Sequence, residues 1–251
     1  MSKNLLTVAY HGKSPLIPQE NQGQKRDFML RRAAKKFFMP KFLGHTNITL
    51  SSPNGECVTA GFLPQQKPDG SFVPASHDNH LTPLYSGTSD KFLWLAKHVP
   101  TSEGLVYTKT NSKNNHPDAY LSFEVSADEH CRVVNYIAHT GKQLLAFNPV
   151  ISNCVLFTVN SCLQAGFDFR KLAEAEHNTR VPDGVLASFA IMATAMGPRG
   201  TGVHVGQMDG RSVEVGFNCP KLVAKIQEAM GIIIPSPPQD LPVTEPAELH
   251  P

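Results

Sequence analysis

The 251-residue chain is 41% hydrophobic and 18% charged, with 18 Gly and 20 Pro. That is enough apolar material for one sizeable core and the wrong mixture for a collagen, a coiled coil or a wholly disordered chain. Its 23 Lys and Arg against 21 Asp and Glu leave a formal charge of +2, too small a basic excess for a protein that binds nucleic acid by neutralising phosphates. The longest apolar run, residues 185–196, falls short of the roughly 20 residues that span a bilayer, so stable membrane insertion is not expected.

In chain order, residues 1–24 read as an irregular lead-in punctuated by Pro15, Pro18 and Gly23. One Lys and a short apolar patch broken by Thr7 make no signal-peptide core, so any export is expected to proceed without a cleaved leader. Residues 25–38 place apolar positions 28, 30, 33, 34, 37 and 38 at near-helical spacing opposite six cations, a solvated amphipathic helix rather than a helix for an anionic surface. Residues 1–39 therefore form an N-terminal segment.

A hairpin follows. Residues 44–51 are rich in β-branched side chains, Pro53-Asn54-Gly55 is a turn, and residues 57–62 return. Residues 64–90 read as a polar loop, a short helix or strand surrounds Trp94, and residues 101–115 give a strand and a polar turn. Residues 119–125 alternate with period two and form a strand. Ser126 and Glu129 then make a capping box for a helix that carries Cys131, Val134 and Ile137 and stops near Gly141. After an extended connection over 144–153, residues 154–165 form an apolar helix closed by Gly166. A helix over 182–195, a glycine-rich stretch over 197–206 with a turn at 197–202, a strand over 213–217 and a helix over 220–230 complete a domain spanning 40–233. Six prolines from Pro235 onward make 234–251 an extended tail.

Five cysteines at positions 57, 131, 154, 162 and 219 form no C-x-x-C pair, which argues against a zinc ribbon, a thioredoxin-like pair or a disulfide framework. The question becomes whether one of them does chemistry. Cys154 begins an apolar helix with Ser152 or Asn153 available as its cap, and unpaired amides there favour a thiolate. A thiolate nucleophile is usually served by a histidine. Of eleven histidines, His45 is distinguished by standing at the start of a well-formed strand, where rigid structure holds its ring. Cys162, two turns beyond Cys154, reads as core, and Cys57, Cys131 and Cys219 have no supporting context.

The segment Gly44-His45-Thr46-Asn47-Ile48-Thr49-Leu50, its Pro-Asn-Gly turn and Gly61-Phe62-Leu63-Pro64 resemble the G-H-x-x-I-x-L and G-F-x-P words of circularly permuted papain-like hydrolases of the NlpC superfamily. The second half agrees, with Asn135-Tyr136-Ile137 ending a capped helix, then Asn153-Cys154-x-x-Phe157 and Ala165-Gly166-Phe167. The resemblance covers roughly residues 40–190. It implies an α+β fold with an antiparallel sheet packed on helices. It also implies a site of two catalytic residues: Cys154 as nucleophile, its backbone amide helping to hold an oxyanion, and His45 as base. The family's third, ring-orienting residue has no clear counterpart: Cys57, Thr59, Gln65, Asp118 and Asn47 are all open, as is a dyad without one.

No cofactor or metal is implied. His77 and His80 resemble a metal clip but lie in a loop without helical register. Gly197-Pro-Arg-Gly-Thr-Gly202 lacks the lysine of a phosphate loop, and no Gly-x-Ser-x-Gly elbow occurs. The expectation is a thiol-dependent amide hydrolase acting on peptidoglycan peptides. By analogy with similar type VI secretion effectors, it would be an antibacterial toxin exported to a target periplasm, with an immunity protein and a secretion-apparatus component as partners. A lipid acyl hydrolase or acyltransferase on the same fold, and a non-enzymatic interaction domain, are the alternatives.

Overall fold

The computed structural model describes residues 3–11, 45–82, 94, 96–110, 117–168, 203–208 and 210–217. Among them the architecture is α+β: one eight-stranded antiparallel sheet and two helices. The strands are β1 (Asn4–His11), β2 (His45–Ser51), β3 (Cys57–Pro64), β4 (Ser102–Thr110), β5 (Ala119–Val125), β6 (Leu145–Phe147), β7 (Val203–Met208) and β8 (Arg211–Phe217). Their order across the sheet is β6-β4-β3-β2-β1-β5-β8-β7. The helices are α1 (Ala127–Thr140) and α2 (Cys154–Gln164).

The first correction to the sequence reading lies at the N-terminus. Residues 4–11, expected inside an irregular lead-in, form β1 in the middle of the sheet, paired along its length with β2 and β5. The physical reason is alternation: Leu6, Val8 and Tyr10 are fully buried on one face, while Thr7 on the other pairs with Ser122 at 2.9 Å. The sheet thus takes a central strand from the segment assigned to 1–39. Residues 203–206, a glycine-rich stretch to which the sequence reading assigned no element, lie within β7. The amphipathic helix of 25–38, the helices of 182–195 and 220–230 and the tail of 234–251 lie outside the described residues.

One face of the sheet carries the helices. Leu6, Val8, Tyr10, Ile48, Leu50, Ala60, Phe62, Leu121, Phe123, Val213 and Val215 alternate along five strands and join one buried cluster with Val133, Ile137, Val155, Phe157 and Phe167. Aromatic contacts tie the layers: Phe62 stacks on Phe157 at 6.5 Å, and Phe123 on Phe167 at 4.1 Å. The side chains between them in sequence, including His11, His45, Asn47, Tyr107 and Tyr120, belong to the opposite face.

Both helices begin as their sequences predict. Ser126 and Glu129 form the reciprocal capping box of α1, and Arg211 grips the same carboxylate with both guanidinium nitrogens, 2.6 Å and 3.1 Å away. The Asn153 side-chain oxygen Oδ1 caps α2 by accepting from the Leu156 N–H at 3.0 Å.

Candidate active site

The approach to Cys154 is fixed by a short polar turn. Asn148 and Ser152 exchange backbone hydrogen bonds of 2.8 Å and 3.0 Å, and the Asn148 side chain accepts from the Val150 N–H at 2.9 Å. The Ser152 hydroxyl donates to the Ala146 carbonyl at 2.7 Å, anchoring the turn to β6. Asn153 donates back to the Pro149 carbonyl at 2.8 Å while capping α2. The extended connection expected over 144–153 is therefore β6 followed by a closed turn, and it delivers Cys154 to the first turn of α2 with little freedom.

The sulfur meets the open end of β2. The β2–β3 ladder begins at Ile48 and Ala60, three residues into β2, whereas β3 goes on pairing with β4 as far as Pro64. The α2 N-terminus enters beside that unladdered end. The Thr46 N–H and hydroxyl donate toward the Cys154 sulfur, as do the amides of Val155 and of Cys154 itself. The Thr158 hydroxyl donates to Thr46 Oγ1 at 3.2 Å, which leaves the Thr46 hydrogen for sulfur. A backbone N–H lies in the plane of its sheet, so a sulfur served by Thr46 N–H sits near that plane.

His45 is the residue before Thr46. Its ring is on the face away from α2 and is 3% exposed. Nε2 lies 3.2 Å from the Tyr107 hydroxyl, and Asn47 Nδ2 donates to that hydroxyl at 3.3 Å. Asn47 Nδ2 also lies 3.3 Å from His11 Nε2, which extends the network to β1. His45 Nδ1 and Asn47 Oδ1 are buried and have no hydrogen-bond partner. The structure thus brings Cys154 and His45 to the same strand end, through Thr46, without a hydrogen bond between them.

Electrostatics correct one expectation. Helix amides were expected to lower the Cys154 pKa. They and Thr46 do pull it down, but complete burial dominates and holds the thiol above its usual range. Burial likewise pushes His45 down to about 3, with the neighbouring His11 adding to the effect. Tyr107 is held above the ordinary phenol value, chiefly by burial, and it senses charge on Cys154. At neutral pH the resting site is a neutral thiol beside a neutral imidazole.

The other residues singled out in the sequence sort cleanly. Cys162 is fully buried, and desolvation raises its pKa, as befits core. Thr59 is paired with Thr49 at 2.9 Å, and Cys57 stands opposite Ser51 at the far end of β2. Asp118 acts electrostatically on His11 rather than on His45. His77 lies 3.2 Å from Glu103, and His80 Nδ1 lies 3.2 Å from the Ala146 carbonyl, so both serve the loop. Among the described residues no group of His, Cys, Asp or Glu is arranged to hold a metal, and no helix is long and apolar enough to cross a membrane. Sequence reasoning missed Tyr107, because nothing local marks residue 107 as a neighbour of residue 45.

No family model matches the chain, and neither does any curated protein or solved structure. The functional reading rests on the motifs and on this geometry.

Proposed function

We propose that the protein is a thiol-dependent hydrolase in which Cys154 attacks a carbonyl carbon and His45 takes the thiol proton. The observation that carries the reading is that Cys154, at the α2 N-terminus, and His45, whose Nδ1 is buried and partnerless, are brought to the same end of β2 on either side of Thr46. A buried imidazole nitrogen without a partner is costly in a folded core and is found where it has a task.

The electrostatics disfavour a resting thiolate–imidazolium pair, so in this reading the proton moves only as the new bond to carbon forms. Substrate entry brings the carbonyl to sulfur, His45 accepts the proton as the carbon–sulfur bond forms, and the imidazolium returns it to the leaving amine. The amides of Cys154 and Val155, already turned toward sulfur, are the donors nearest the developing oxyanion. Water then attacks the thioester, with His45 again as base, and releases the acid.

The substrate class follows from the resemblance: an amide bond of peptidoglycan peptides, cleaved by an antibacterial effector that reaches the target periplasm and is met in the producing cell by an immunity protein. The test incubates purified full-length protein with peptidoglycan sacculi and, separately, with phospholipid vesicles, and analyses products by mass spectrometry. New amine and carboxyl termini in the peptides, absent with Cys154→Ala and with His45→Ala, are expected. Release of fatty acid instead assigns the lipid acyl chemistry, and no product from either, with Cys154 no more reactive than an ordinary thiol, overturns the hydrolase reading.

A further inference from the structure

We infer that Tyr107 is the positioning residue of this site: reaching across β3 over Gly61, it holds the His45 ring by Nε2 and leaves the Nδ1 lone pair free. The inference deepens the proposed hydrolase reading and rests on it for the role of Nδ1, but the ring-holding contact is observable on its own.

Tyr107 and Gly61 are register partners in the β3–β4 ladder. A Cβ at position 61 would lie 2.7 Å from Tyr107 Cε1, 2.8 Å from its hydroxyl and 2.9 Å from Cζ. Only the missing side chain lets the phenol lie across β3 and reach β2, where its hydroxyl meets both His45 and Asn47. The His45 and Tyr107 rings stand 6.2 Å apart at 38°.

Hydrogen-bond capacity then sets the tautomer. Asn47 turns Nδ2 toward both Tyr107 and His11, spending its two hydrogens on the Tyr107 oxygen and on His11 Nε2. The Tyr107 oxygen is therefore already an acceptor. A hydroxyl that already accepts can still donate to Nε2 or accept from it, and the choice is made at the other nitrogen, where a proton on Nδ1 would be a buried donor with no acceptor. The ring proton thus sits on Nε2, and Nδ1 is the basic nitrogen. A second group fixing the tautomer of a catalytic histidine is a general requirement of such chemistry. Here it comes from a strand two places across the sheet.

The experiment uses the full-length protein labelled with 15N-histidine. Long-range 1H–15N spectra report the protonated ring nitrogen, and peptide mass spectrometry reports iodoacetamide alkylation at Cys154 across pH. The wild type should show His45 protonated on Nε2. Tyr107→Phe, which removes one oxygen, should turn that ring to a tautomer mixture and slow Cys154 alkylation roughly ten- to a hundred-fold, within the range that acid–base assistance supplies. Gly61→Ala, which keeps Tyr107 but fills its path, should reproduce both changes, a result that simple loss of a hydroxyl does not explain. A wild-type ring protonated on Nδ1, or His45 signals unmoved by Tyr107→Phe, overturns the inference. Ring signals that change while Cys154 reactivity does not uphold the holding contact and overturn the hydrolase reading.

Discussion

Two polar networks lie on this sheet, and they differ in completeness. At one end Glu129 accepts from Ser126 N–H and from two nitrogens of Arg211, so every contact of the carboxylate is answered. At the other, His45, Tyr107, Asn47 and His11 are linked, yet His45 Nδ1 and Asn47 Oδ1 have nothing to bond. A saturated network rigidifies the α1 start. An unsaturated one in a buried setting is a liability for folding, and it lies at the strand end that the α2 start also reaches.

The largest expected effect breaks that contrast outright. Cys154→Ala should abolish product formation from sacculi, a loss of roughly 10³-fold or more on the scale of removed nucleophiles, while far-ultraviolet circular dichroism and Tm stay close to wild type. Glu129→Gln should leave product formation intact. If both variants lose activity in proportion to stability, the two ends are equivalent and the distinction is void.

Acid titration separates the networks next. His45 is held at about 3 in the folded protein, below the ordinary 6.5, so the unfolded chain binds its proton first. Its stabilising contribution is full above pH 6.5 and is lost as pH falls toward 3, with a slope of up to about 1.4 kcal/mol per pH unit for one proton. His11, also lowered by burial, acts in the same direction. Glu129 is held at about 2, mainly by the Arg211 hydrogen bonds, so its contribution is full above 4.5 and lost between 4.5 and 2. Denaturant midpoints measured from pH 7 to pH 2.5 should decline in two stages, the first flattened by His45→Gln and the second by Glu129→Gln. A first stage that survives His45→Gln undiminished would mean the ring is not buried neutral.

How much of this was readable in advance follows from the range of the interactions. The α1 capping box, the α2 cap at Asn153 and the β2–β3 hairpin depend on residues a few positions apart, and their residue types carry the information. β1 was hidden because a short stretch such as Leu5-Leu6-Thr7-Val8-Ala9-Tyr10 gains meaning only once β2 and β5 lie on either side of it. That Cys154 starts a helix and His45 a strand was legible in the local residue types. Tyr107 was not, since its contact depends on the β3–β4 register and on the absence of a side chain at Gly61. The direction of the Cys154 pKa was misjudged for a related reason: amides are visible in a helix start, whereas burial is a property of the assembled core.

The smallest effects sharpen the comparison most finely. Ser126→Ala and Asn153→Ala each remove a side chain that accepts from an orphan amide at a helix start, and each should cost about 1 kcal/mol of stability. Their chemical consequences should differ. Ser126 serves a helix whose first turn leads to Arg211, and its loss should leave Cys154 alkylation unchanged. Asn153 also donates to the Pro149 carbonyl, so its loss loosens both the turn and the first turn of α2, from which amides reach the sulfur. Alkylation of Cys154 should slow in Asn153→Ala by several-fold at equal stability, and also in Asn153→Asp, which keeps the cap acceptor but drops the donor and adds a negative charge one residue from the sulfur. Equal alkylation rates in all three variants would show that the α2 start does no more for the protein than the α1 start does.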